Sequence, residues 1–445
     1  MASFATFSTS PAQVTSLSLA ARPLHWVPRG PGIQSWDPFG VGASTNAKYL
    51  ADPFDKGRGS RWSDMMPPSR RELIRSTGFR FIRLPIDLGA LTTAPTEAIL
   101  SDRISKYLSA VIDLVASGLQ VIVCPAPSSQ IGPANVPGWG NGEIFDGVRG
   151  TKWSRVTAVS QVLAESVGNL AKPSEVAYEL LNEPAFTFQM PNMGLTFAQH
   201  IAALRDVVRA GAPTTTIIIP SSGFQSIDLR DGLIAFDRSM FPDQNMYVGF
   251  HFFPGCWAAQ GAGFYRHLHR VPYPPKSVDR ARVFADFIAA VTADDALTPA
   301  QRAQEVSYFL LEHNVDGLDT YYDQPQDDAW FRDDRMAKVL SWAAAKEMTG
   351  RVICTEWSVN GDRTAPIVSL AADETSRVNG MRAMRQALEA ADIPWCFNEL
   401  TNPQFGQGLA DNQSFAFNET LIQALALKGA AELCGPGARC AQGLP

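Results

Sequence analysis

The sequence predicts an α/β protein of the (β/α)₈ barrel class, a single domain with an enlarged loop and helix region after its sixth strand. Three observations predict it. Short apolar runs rich in β-branched residues recur along the 445 residues, amphipathic helical stretches alternate with them, and no Gly/Ser-rich or Pro-rich linker divides the chain. Near-continuous apolar strands suit a sheet covered on both faces, so they read as parallel strands joined by helical crossovers.

Taken in order, the first strand is placed at LHWVPRGPGI (24–33), although Pro and Gly suit a strand poorly. A helical stretch at 67–77 leads to FRFIRLPI (79–86). SDRISKYLSAVIDLVASG follows, with Ile104, Leu108, Val111, Ile112 and Val115 on one face, a Ser-Asp start and a Gly118 stop. LQVIVCPA (119–126), EVAYELL (175–181), TTTIIIP (214–220) and NMYVGFHFF (245–253) are the next strands, the first three followed by helices or loops that include 152–171 and 195–211. About a hundred residues then intervene, with helical patterns at 277–293, 298–313 and 328–347. GRVICTEW (350–357), a helix at 373–391, IPWCFNEL (393–400) and a helix at 414–428 complete the alternation. Residues 24–430 are therefore assigned to the barrel, 1–23 to an N-terminal extension and 431–445 to a tail.

Bulk composition narrows the function classes. With 45% hydrophobic and 18% charged residues the chain can bury a large core. A net charge of −6, with scattered basic residues, offers no footprint for a phosphate backbone, so nucleic acid is not an expected partner. No apolar run reaches the roughly 18 residues of a spanning helix, so no membrane is expected either. The first 22 residues show no basic start or compact apolar segment. That makes the cytoplasm the default expectation, with export if a leader has been trimmed. Cys124, Cys354 and Cys396 fall in strand runs, as buried thiols do, whereas Cys434 and Cys440 flank a Gly-Pro turn suited to a small disulfide loop. Oligomeric state is not legible.

In such a barrel, catalytic groups come from the carboxyl ends of the strands. Those ends carry Arg83, the Asn182-Glu183 pair, His251, Glu356 and the stretch Trp395 to Glu399, with Ser128, Ser129, Ser221 and Ser222 as lesser candidates. Glu183 and Glu356 each end an apolar run, where an ionised carboxylate is costly unless paired or used. One such Glu is readily an ion-pair partner of Arg83, but two suggest a catalytic pair. Retaining glycoside hydrolysis needs one carboxyl to protonate the leaving oxygen and another, roughly 5 Å away, to attack the anomeric carbon. His267 and His269 have no third ligand at a diagnostic spacing, and HExxH, CxxC, GxSxG, P-loop and Rossmann patterns are missing. Neither a metal nor a cofactor is expected.

YELLNEP (178–184) resembles the Asn-Glu-Pro signature of family 5 glycoside hydrolases, the cellulase family A enzymes of clan A. RGPGIQSW (29–36), FIRLPID (81–87), FHFFPG (250–255), the stretch around Gln260 and Gly261 with VPYPP (271–275), and RVICTEWSV are similar to further segments of that family. The resemblance implies a cellulase- or β-glucanase-like retaining hydrolase of a β-linked oligo- or polysaccharide. Glu183 is then acid/base, Glu356 nucleophile and Asn182 donor to the sugar 2-hydroxyl. Arg83 would keep the nucleophile ionised, and His251, Trp395, Asn398 and Trp36 would join it in lining the substrate site. Three residues depart from the family: Ala126 replaces a histidine, Phe253 lacks a tyrosine hydroxyl that usually bonds the nucleophile, and Asn398 stands near a sugar-stacking tryptophan's position, with Trp395 as substitute. Trp62, Trp139, Trp257 and Trp357 are further candidate sugar platforms. A non-catalytic carbohydrate-binding barrel and a transglycosylase are the competing readings.

Overall fold

The computed structural model describes Val41–Ser44, Trp62 and residues 66–427 except 128–137, 141, 185–192, 226, 228–237, 259, 261–266, 269, 276, 312–317, 324–325, 360–373 and 399–416. Eight parallel strands close a barrel in sequence order: β1 Val41–Ser44, β2 Phe79–Asp87, β3 Gln120–Ala126, β4 Val176–Glu179, β5 Thr216–Pro220, β6 Met246–Phe252, β7 Val352–Trp357 and β8 Trp395–Asn398. β1 pairs with both β2 and β8 and so removes the sheet's edges.

Seven strands coincide with the apolar runs, but the first does not. It is VGAS at 41–44, downstream of the predicted 24–33, which lies outside the described residues. Four small residues make no apolar run, so hydrophobic pattern cannot find this strand; its pairing with β8 identifies it. The proposed extension, the tail, Cys434 and Cys440 also lie outside the described residues.

The helices follow the predicted order with shifted ends. The helix after β2 runs Glu97–Ala116, starting ahead of the Ser-Asp pair because Thr96 accepts a cap hydrogen bond from the Ile99 N–H. Its Leu100, Ile104, Tyr107, Leu108, Val111 and Leu114 are buried. The long interval after β6 holds helices Arg280–Ala293, Pro299–Leu311 and Leu318–Asp323, then a π-helical turn Trp330–Met336 running into Ala337–Ala345. His267 braces this region, one ring nitrogen 2.6 Å from Glu305 Oε1 and the other 2.9 Å from Asp294 Oδ2. His269 is outside the described residues. None of the described helices is long and apolar enough to cross a membrane.

Strand periodicity separates two cores. Outward residues such as Ile82, Val121, Val123 and Ile217 merge with the helices into one large cluster. Phe81, Ile122, Ala177, Ile218, Ile353 and Cys396, from six strands, form a separate plug inside the barrel. Gly249 of β6 permits that plug, since a Cβ there would stand 2.9 Å from Ile218 Cγ2. Two residues beyond the plug, Arg83, Cys124 and Glu179 share the inward direction and meet one another.

Candidate functional site

The site grows from this polar layer at the carboxyl ends of the strands. Arg83 is fully enclosed, and its guanidinium reaches four side chains. Nε donates to Glu179 Oε2 at 2.6 Å, and Nη2 to Glu179 Oε1 and Cys124 Sγ at 3.1 Å and to Asn182 Oδ1 at 2.6 Å. Nη1 donates to Glu356 Oε1. This corrects the expectation that Arg83 binds sugar: with no exposed surface, it holds carboxylates from beneath.

Glu179 is the residue that sequence reasoning missed. It ends β4, four residues before Glu183, is fully buried, and is bonded by both Nε and Nη2 of Arg83. Burial by itself raises its pKa, but the Arg83 guanidinium outweighs that, with help from His251 and Gln225, and holds it below the usual carboxylate range. A polar residue inside VAYE was the available signal. Gln225 was missed too, and nothing in GFQSI marks it. Its Nε2 donates to Glu179 Oε1 at 2.8 Å and to Thr355 Oγ1 at 3.3 Å, while its Oε1 accepts from the Glu183 N–H at 2.7 Å.

Glu356 sits at the end of β7, where an irregularity in the β6–β7 pairing brings His251 level with it. Asn398 Nδ2 donates to its Oε2 at 2.9 Å. Burial raises the Glu356 pKa, and Glu183 and Glu179 add to the rise; His251 and Arg83 oppose it without cancelling it. Arg83 thus lowers the Glu356 pKa while burial, the largest influence, raises it, and the same guanidinium is shared with Glu179, Cys124 and Asn182. Glu183 is more open, with a side chain 27% exposed against 11% for Glu356. His251 Nδ1 stands 2.9 Å from Glu183 Oε1 and 3.7 Å from Glu356 Oε2. One ligand-type atom each from Glu183, His251 and Glu356 lies within 4.8 Å of the others.

Asn182 turns its carbonyl to Arg83, which leaves its NH₂ group directed away from the guanidinium, and its backbone N–H is fixed on Pro125 O. Trp395 does not stand in for a sugar platform. It is 2% exposed and packs edge-on against Trp357, whose ring is itself buried, as is Trp257. These tryptophans complete the helix-side core. Ser221 and Ser222 are buried at the end of β5, Trp62 donates to Asp113, and Trp139 is half-buried. Trp36, Ser128 and Ser129 lie outside the described residues. Ala126 is buried, and the Phe253 ring meets His251 edge-on at 6.2 Å.

The cellulase family, glycosyl hydrolase family 5, matches residues 60–402, a stretch that contains Arg83, Glu179, Asn182, Glu183, Gln225, His251, Glu356 and Asn398. The chain belongs to glycosyl hydrolase family 5. Solved structures agree on the fold of this family 5 chain. The cellulose synthase subunit Z of Clostridioides difficile is 18% identical at a TM-score of 0.58, covering 87% of this chain and 99% of its own. The endoglucanase Cel5A of Thermotoga maritima is 15% identical at 0.57, covering 87% and 97%. A broad-specificity endoglucanase of Clostridium acetobutylicum is 11% identical at 0.57, covering 86% and 96%. No curated protein matches the chain.

Proposed function

We propose that this family 5 chain is a retaining β-glycoside hydrolase that cuts a β-linked oligo- or polysaccharide by double displacement, with residues 24–430 as its catalytic barrel. The carrying observation is the approach of the Glu183 and Glu356 carboxylates to within 4.8 Å, near the roughly 5 Å of retaining enzymes. In this reading Glu356 Oε2 attacks the anomeric carbon while Glu183 gives its proton to the departing glycosidic oxygen. Glu183 then takes a proton from water, which displaces Glu356 from the sugar with a second inversion. The Asn182 NH₂ is a donor for the sugar 2-hydroxyl, and His251 positions both carboxyls. The endoglucanase descriptions of two structural neighbours fit a β-glucan substrate.

A non-catalytic sugar-binding barrel is the reading favoured by Ala126 and Phe253, which lack the polar groups usual at those positions. Against it, Asn398 supplies a donor to Glu356 where Phe253 has no hydroxyl. The deciding experiment is hydrolysis of β-linked oligosaccharides and aryl β-glycosides by wild type and Glu356→Ala, with the anomeric configuration followed by NMR. Retained β-configuration, lost in the variant, is expected. Silence of the wild type across the panel would sink the hydrolase reading, and transfer products at high sugar concentration would move it to transglycosylation.

A further inference from the structure

Beyond the two carboxylates, we infer that Gln225 is a positioning residue for Glu183: it sets the direction of the acid/base carboxyl and couples it to the support of the nucleophile. The inference rests on the hydrolase reading above and deepens it.

Glu183 has φ 41°, a left-handed backbone that a residue with a Cβ rarely adopts. Such a conformation persists only where its surroundings over-determine it. Here the fixing contact is the Glu183 N–H, held at 2.7 Å by Gln225 Oε1. Gln225 is itself at φ 57° and fully buried, at the end of the short helix Ser222–Gln225 that follows β5. Two left-handed residues distant in sequence are thus bonded to each other, one of them the proposed acid/base.

The orientation of the Gln225 amide is determined at both ends. Its oxygen faces a backbone N–H, which only donates, and its NH₂ faces the Glu179 carboxylate, which only accepts when ionised. Glu179 is clasped by Arg83, whose remaining nitrogen holds Glu356. One continuous chain therefore runs Glu183, Gln225, Glu179, Arg83, Glu356. Within this chain Gln225 bonds the Glu183 backbone, and so sets the base from which the carboxyl reaches a glycosidic oxygen, while His251 meets the carboxyl itself at 2.9 Å.

The test measures kcat/KM on aryl β-cellobiosides with leaving phenols from weakly to strongly acidic, for wild type, Gln225→Met and Glu183→Gln. A dinitrophenolate departs without protonation, whereas a weakly acidic phenol needs the acid, a contribution on the order of 100-fold or more. For Gln225→Met the loss is expected to be at least about tenfold larger on the weakly acidic phenols than on dinitrophenyl, a partial copy of the Glu183→Gln pattern. Gln225→Glu covers a failure of the methionine variant to fold. When protonated, the new carboxyl both donates and accepts as the amide does, so its leaving-group pattern should return toward wild type as pH falls. Equal losses on all leaving groups with an intact circular dichroism spectrum, or no loss at all, overturn the positioning role and leave the hydrolase reading standing. A wild type that cleaves none of the probes, while binding oligosaccharide, overturns both.

Discussion

Replacing Arg83 with Met tests the electrostatic foundation of the site. The arginine and its partner Glu179 have fully buried side chains, and Glu356 is 11% exposed. Removing the cation leaves the Glu179 carboxyl enclosed without its counter-ion, beside Gln225 and Cys124, and breaking a buried pair in this way costs about 3–5 kcal/mol. Glu356 adds less to that cost, because it takes one bond from Arg83 where Glu179 takes two and is partly exposed. Unfolding entropy of about 2.1 cal/mol/K per residue, applied to the matched span 60–402, comes to about 0.7 kcal/mol/K, so Tm should fall by about 4–7 °C at pH 7. Adding Glu179→Met should restore most of that loss, since a buried ion pair exchanged for apolar side chains of similar volume is near neutral. Adding Glu356→Gln to the arginine variant should not. Calorimetry on the four proteins measures each step. A Tm within about 1 °C of wild type for Arg83→Met, or rescue through Glu356 in place of Glu179, would refute the assignment of Glu179 as the principal counter-ion.

Three further predictions follow from the same geometry. Glu179 has a folded pKa below its unfolded value of about 4.3, so its contribution is complete above that pH and disappears as pH falls through the folded pKa; acid unfolding curves of wild type should show this loss, and Arg83→Met/Glu179→Met should lack it. Glu356 has the opposite sign: folding favours its protonated form, so it costs stability as pH rises from about 4.3 through its raised folded value. Glu356→Gln should therefore melt higher than wild type at pH 7, with the gain shrinking as pH falls toward about 4; a variant less stable at both pH values would contradict the burial penalty. Asn398→Ala removes a donor to the nucleophile worth about 1.5–3 kcal/mol, so kcat/KM should fall about 10- to 100-fold and its acid limb should move to higher pH; an unmoved limb would return Asn398 to a sugar contact alone.

The alternation of apolar runs with amphipathic helices determined the barrel, because strands covered on both faces and helices covered on one leave period signals that survive in a linear string. Polar residues ending those runs likewise marked Glu183, Glu356, Asn182, His251 and Arg83, since an ionisable group at the end of a buried strand needs a reason to be there. The first strand escaped, because VGAS is too short and too small-sided to form a run and is identified only by its partners β2 and β8. Trp395 was misjudged for a related reason. Strand pattern places an aromatic near the site but does not say which face it occupies, and packing against Trp357 puts it in the core. What tertiary structure alone decided is the sharing of one guanidinium. Arg83, Glu179 and Gln225 come from three different strand ends, and only closure of the barrel brings them within hydrogen-bond distance. Burial of Glu356, with Glu183 and Glu179 beside it, raises its pKa against the pull of His251 and the shared Arg83, a balance of charges that residue identity along the chain does not contain.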